Sequence, residues 1–425
     1  MNSQFKNNKA LLQDISSAVD EIKDEMIAFI QKLVQTPSLP AEEKEVREMI
    51  AAKLRELNLI VDVIPLEEEE LTRHPAYSDD GFPLTGRSNV VGRWPGQGNQ
   101  KSPSLILNGH MDVVSPGAEE MWSESPYSGT VKNGRIFGRG SADMKSGLSA
   151  AIFAVQLLQK LGFHPESDLL IQGVVGEETG GCGTLMNIIR GYRADAAIIM
   201  EPTNLDIYPL HSGALSFRVK VKGKAMHACM KNKGVSAVEK FYIILKAVND
   251  LDKERHAQYS NPIFADPQNV APISFGTLRS GDWPSSVPGD LVTEGRFGVF
   301  PGEPVEEAKQ VFEECIGRAC LSDAWLKNNL PRVEWFEGRF EPGETSLDEP
   351  VIKTLSACHR AVLRQDVKYV GATYGSDLRL FTNHANIPAV LYGPGDVLDA
   401  HSVNESIAVD EILSAVKVLA LMIVN

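Results

Sequence analysis

The residues of this chain best suited to chemistry are acids and histidines that follow short apolar runs. In LLIQGVVGEETGG, residues 169–181, the apolar run from Leu169 to Val175 is broken only by Gln172 and Gly173. That is the pattern of a strand covered on both faces. Glu177 and Glu178 come at its carboxyl end, where open α/β sheets place their ligands. Consecutive residues leaving a strand point in different directions, so one carboxylate can bind a metal while its neighbour faces a water or a substrate. Taken alone, the pair reads first as an ordinary solvated acidic loop.

Other segments join it. NGHMD puts His110 and Asp112 at the end of a strand, GRGSAD puts Asp143 just before a helix, and Glu201 follows the apolar run 196–200. His401 lies in the late stretch GPGDVLDAHSVNE. His110, Asp143, Glu178, Glu201 and His401 each sit near a glycine or a strand end, where the backbone leaves room for an ion. Carboxylate and imidazole ligands without thiolates suit zinc, cobalt or manganese in a hydrolytic site, and the set is large enough for two ions sharing a carboxylate. His74, His164, His256, His359 and His384 read as core or surface imidazoles.

The elements that must position these groups alternate. Apolar spacing predicts helices over 14–34 and 42–57 and a strand over 60–64. Further strands follow near 90 and over 104–107, and then a helix with Leu148, Ile152, Val155 and Leu158 as its stripe. The order implies a three-layer, mainly parallel sheet. From about 211 to 342 the order becomes β-α-β-β-α-β, the split unit of a ferredoxin-like sandwich. Alternation resumes with a helix over 350–364, a strand over 389–392 and a terminal helix over 409–423. The expected fold is therefore α/β, with one domain from 1–210 and 343–425 interrupted by an inserted α+β domain at 211–342.

Composition narrows the function. The chain has 425 residues, a formal charge of −14 and no basic stripe, which argues against nucleic acid and anionic membranes. Residues 1–9 are polar, unlike a signal peptide, and no apolar run spans a bilayer. Five scattered cysteines without a CxxC pair fit reduced thiols, and the expected location is the cytoplasm.

NGHMDVV, GRGSADMKSG, GEETGG, MEPT and GPGDVLDAHSVNE together resemble, in order and spacing over nearly the whole chain, the motifs of a family of dinuclear zinc hydrolases. That family includes acetylornithine deacetylase, succinyl-diaminopimelate desuccinylase, aminoacylase, carboxypeptidase G-type enzymes and tripeptidase. The resemblance implies a zinc-peptidase-like catalytic domain with the inserted domain as lid and dimerisation surface. It implies that His110 and Glu201 hold one zinc, Glu178 and His401 the other, and Asp143 bridges them, with cobalt or manganese able to substitute. Asp112 would orient His110. Glu177 would be the general base acting on the water between the metals, and the peptide after Asp143 would be cis. His227, in VKGKAMHA, would stabilise the oxyanion from the partner subunit of a homodimer. After that HA pair members carry a small residue and a proline, whereas this chain has Cys229-Met230-Lys231.

Substrate contacts follow from the same likeness. Arg296 resembles the arginine that takes a substrate carboxylate, and Thr373, Ser376, Asp377 and Arg379 in GATYGSDLR resemble a pocket-lining loop. Deacylation of a small N-acyl amino acid, acetylornithine first, is the expected activity. An N-formyl aminopyrimidine deformylase and a metallo-carboxypeptidase or dipeptidase are the enzymatic alternatives. A metal-binding relative without catalysis is the remote one, and an intact Glu177 argues against it.

Overall fold

The computed structural model describes residues 8–98 and 102–425; the polar segment 1–9 and the turn read over 96–101 fall partly outside that range. The chain divides into two compact units. The first comprises Met1–Pro209, Glu344–Val370 and Ser376–Asn425, and the second Leu210–Gly343 with Gly371–Gly375. The short segment 371–375 joins the second unit because Gly371 N–H donates to Ile263 O and Ser212 N–H donates to Ala372 O.

The first unit is built on a nine-stranded sheet. Its centre is parallel: Leu169–Val174, Leu105–His110, Ala196–Ile199 and Ala389–Leu391 lie side by side. Its flanks are antiparallel, Ser88–Trp94 and Ile60–Pro65 on one side and Ile207–His211 on the other. The expectation of a mainly parallel sheet holds for the middle alone. The order of strands and helices along the chain does not fix the direction in which the edge strands pair.

Strand periodicity fixes the layers, since successive side chains take opposite faces. Asn108 donates to Thr184 Oγ1 in the helix Cys182–Ile189 on one face. On the other face the next residue, Gly109, approaches Leu148 in the helix Ser146–Lys160. That helix is buried nearly all round, because Asn8–Gln35 and Val409–Ile423 cover the side turned from the sheet. Each fully buried Leu or Ile there contributes about 1.5–3 kcal/mol. Gly147, in its first turn, is demanded by space: a Cβ would lie 2.2 Å from Met200 O. The Asp143–Met144 peptide just before it is cis.

The second unit is a four-stranded antiparallel sheet in the order Ile273–Ser280, Asp290–Val299, Gly213–Lys222, Arg332–Phe340. The helices Ala237–Gln258 and Val305–Leu321 complete it, giving β-α-β-β-α-β in chain order. Alternate residues of Gly213–Lys222 are buried, and Phe217 meets the rings of Phe275, Phe312 and Trp335.

Candidate active site

Parallel pairing brings three carboxyl ends to one edge of the sheet. His110 ends its strand level with Val174, and Asn108 pairs with Ile199, so Glu177, Glu178 and Glu201 leave from the same side. The turn carrying Glu177 and Glu178 is held from beneath by Asp112. Its carboxylate accepts from Glu177 N–H at 3.4 Å and from Glu178 N–H at 3.2 Å. His110 Nδ1 lies 2.8 Å from the main-chain carbonyl of Asp112 and 3.9 Å from its carboxylate. Asp112 therefore meets His110 through its backbone, while its side chain fixes the glutamate turn.

Asp143 enters from the segment before Ser146–Lys160, and His401 from the loop before Ser406–Ala408. Asp143 Oδ1 is 3.0 Å from His110 Nε2, and its Oδ2 is 3.4 Å from His401 Nε2. His401 Nε2 is also 3.0 Å from Glu178 Oε2. One carboxylate thus spans two imidazoles. His110, Glu177 and Glu201 have ligand atoms all within 4.8 Å of one another, and so do His110, Asp143 and Glu178.

These lone pairs converge where only protons or cations can separate them. Burial and the Glu201 charge push Glu177 well above the usual carboxylate range. Burial and Asp143 raise Glu201 to about 8, and the same causes raise Glu178. Burial works against His110 and Asp143 as ions, yet their mutual hydrogen bond prevails, raising the imidazole and lowering the carboxyl. His401 is lifted to about 10 by its bonds to Asp143 and Glu178. Glu201 Oε1 is buried with no hydrogen-bond partner among the described residues, an acceptor left for a cation. The donor set of carboxylates and imidazoles fits divalent cations, and the Asp143 carboxylate lies between His110 and His401.

The other expected residues divide between the two units. Ser376 and Arg379 are 1 % and 0 % exposed, and Arg379 donates to Gly180 O at 2.8 Å. Arg379 thus lies against the turn that carries the glutamates, and neither side chain opens to solvent. Asp377 is fully buried, lies where a Cβ on Gly181 (φ 79°) would stand, and is raised to about 6 by burial. In the second unit, Arg296 Nη2 donates to Thr373 O at 3.2 Å. Burial lowers its guanidinium. His227 is exposed, paired with Ser286, and its Nδ1 accepts from Cys229 N–H. A cavity of about 380 Å³ lies at the amino ends of the same strands, beside Leu105, Leu169 and Ala196, away from these acids.

Sequence reasoning passed over Arg87, Glu43 and Glu405. Arg87 Nη2 and Nη1 reach Glu43 at 2.8 Å and Asp80 at 2.6 Å, all buried side chains. Asp80 also accepts from Thr179 Oγ1, next to Glu178. The available signal was GRSNVV, an arginine opening an apolar strand.

Fold and site together define a metal-dependent hydrolase with a two-unit α/β architecture. Residues 106–425 match the model of Peptidase family M20/M25/M40, and the chain belongs to that family of amide-hydrolysing enzymes. It is 30 % identical over 439 residues to an N-formyl-4-amino-5-aminomethyl-2-methylpyrimidine deformylase of Bacillus subtilis, with 97 % of each chain covered. It is 28 % identical to a probable succinyl-diaminopimelate desuccinylase of Staphylococcus epidermidis, covering 75 % of this chain and 82 % of the other. Among solved structures, an M20 family metallo-carboxypeptidase from Sulfolobus solfataricus superposes with a TM-score of 0.74 at 15 % identity. That match covers 94 % of this chain and 98 % of the other.

Proposed function

We propose that the protein uses two divalent cations, zinc first, to hydrolyse the amide of a small N-acyl compound. The observation that carries this is the convergence of His110, Asp143, Glu178 and His401 with Glu177 and Glu201 in one buried cluster. His110 and Glu201 would hold one ion, Glu178 and His401 the other, and Asp143 both. Bound there, the ions supply positive charge that offsets the buried acids and polarises the substrate carbonyl.

The protein's own residues then divide the work. Among the described residues no imidazole bonds to Glu177, so its carboxylate is free to take a proton from the attacking water and pass it to the leaving amine. Asp112 keeps that carboxylate aimed by holding its backbone N–H. His227, on the second unit, would donate to the developing oxyanion, and we place it in the partner subunit of a homodimer. The edge strand Ile273–Ser280, with Leu278 exposed, and the exposed Val238 and Tyr242 one helical turn apart supply an apolar face for that association. Five free cysteines fit a reducing cytoplasm.

Two substrate readings have support. Arg296 has no acidic partner among the described residues, which favours a substrate carboxylate and so an N-acyl amino acid such as acetylornithine. The match along 97 % of both chains favours instead the N-formyl aminopyrimidine named for the B. subtilis relative. Zinc-, cobalt- and manganese-loaded protein assayed on N-formyl, N-acetyl and N-succinyl substrates and on dipeptides separates them. Turnover of an N-acyl class supports the proposal. Cleavage of dipeptides alone would replace it with a peptidase, and no turnover by fully loaded, folded protein would overturn it.

A further inference from the structure

Glu405 lies four residues beyond His401 and is 0 % exposed, yet it is a charged side chain. Its two oxygens face different segments. Oε2 receives Arg139 Nη1 at 2.6 Å, and Oε1 accepts from the backbone N–H groups of Ala142 at 2.9 Å and Asp143 at 3.1 Å. Its own carbonyl accepts from Gly138 N–H at 2.9 Å. With both oxygens occupied by this chain, Glu405 is not a spare metal ligand.

The surroundings fix it further. Ser406–Ala408 pairs antiparallel with Arg135–Phe137, so the chain arrives at Glu405 already in register with the segment that leads to Asp143. Arg139, 2 % exposed, lies over the Trp122 ring at 5.3 Å and donates to Ser115 O at 3.3 Å. On the preceding residue, Asn404 Oδ1 accepts from Ser123 N–H and Oγ. Asp143 itself has non-helical backbone (φ −119°, ψ 97°), so no helical hydrogen-bond ladder holds it in place. The Glu405 bond to its N–H does that.

We propose that Glu405 is a positioning residue. It sets the distance between Asp143 and His401, two proposed cation ligands far apart in the chain, and Arg139 anchors it. The inference rests on the two-cation reading above. Its signature is graded: losing Glu405 weakens most the cation assigned to His401 and Asp143, weakens less the other cation that Asp143 also contacts, and leaves Glu177, on another segment, able to work.

The test is calorimetric titration of metal-free protein with zinc, for the wild type, Glu405→Gln and Arg139→Lys, with folding checked by near-ultraviolet circular dichroism. Glu405→Gln should bind one cation about 10- to 100-fold more weakly, the usual cost of losing a group that orients a ligand, and the other with a smaller loss. Excess zinc should then restore kcat. Arg139→Lys keeps the charge and both Glu405 backbone bonds, and should weaken the same cation several-fold. If Glu405→Gln does not fold, Arg139→Lys decides the matter. Wild-type affinity for both cations in a folded Glu405→Gln, or in Arg139→Lys when the other variant is unfolded, overturns the inference. Failure of the wild type to bind two cations would instead overturn the two-cation reading.

Discussion

Adjacent side chains can share a charge and still do different things, and Glu177 and Glu178 are such a pair. Glu178 lies 3.0 Å from His401, whereas Glu177 is drawn toward Glu201 and His110 and meets no second imidazole. Glu177→Ala is therefore expected to keep both cations and near-normal substrate affinity while kcat falls about 10²- to 10⁴-fold, the usual worth of a general base. Glu178→Ala should lose a cation. Metal analysis beside steady-state kinetics on the two folded variants checks this, and a metal-depleted Glu177→Ala or a fully loaded Glu178→Ala would reverse the assignments. Asp112 refines the picture, because its side chain serves the glutamate turn and only its carbonyl serves His110.

At the scale of elements, the turn bearing both glutamates depends on a buried charge network. Arg87 neutralises Glu43, which precedes the helix Lys44–Glu56, and Asp80, which binds Thr179 beside Glu178. Arg87→Met would leave two buried carboxylates uncompensated and should cost about 3–5 kcal/mol in denaturant unfolding, with cation affinity reduced as well. An unchanged unfolding midpoint would show the network to be dispensable. How much of this was legible in the sequence follows from range. Helix 409–423 was readable because its apolar pattern is local, and His110, Glu178 and Glu201 were readable as candidates because each stands at or just beyond an apolar run. The antiparallel flanks, the helix Cys182–Ile189 and the Glu405 contacts were not, since they depend on pairings between distant segments. Ser376 and Arg379 look polar and accessible in sequence, and only their packing in the fold shows them buried.

Across the whole molecule, the buried acids link cation binding to pH. Glu201 is raised to about 8 and His401 to about 10, and Glu177, Glu178 and His110 move the same way. A group whose folded pKa exceeds its unfolded value, 4.5 for Glu and 6.5 for His, holds a proton that the unfolded chain has released. Its stabilisation is complete below the unfolded value and is lost as pH rises through the folded one. Metal-free protein should therefore lose stability from about pH 5 to 10, through Glu201 up to about 8 and through His401 up to about 10, whereas cations can replace those protons. The gap in Tm between chelated and zinc-loaded protein is expected to widen over that interval. A constant or shrinking gap would mean the acids are not the cation ligands.

Assembly belongs to the same scale. Mixing inactive His227→Ala and Glu177→Ala chains should restore activity if His227 serves the neighbouring subunit, because half of the mixed sites then carry both groups. No recovery despite demonstrated subunit exchange would assign His227 to its own chain or to no role.

The most direct measurement is activity against cation stoichiometry. Protein stripped with a chelator should be inactive and regain turnover as two equivalents of zinc are added, and His401→Ala should stop near one bound ion per chain with little turnover. Full activity in metal-free protein, or two tightly held ions in His401→Ala, would contradict the account.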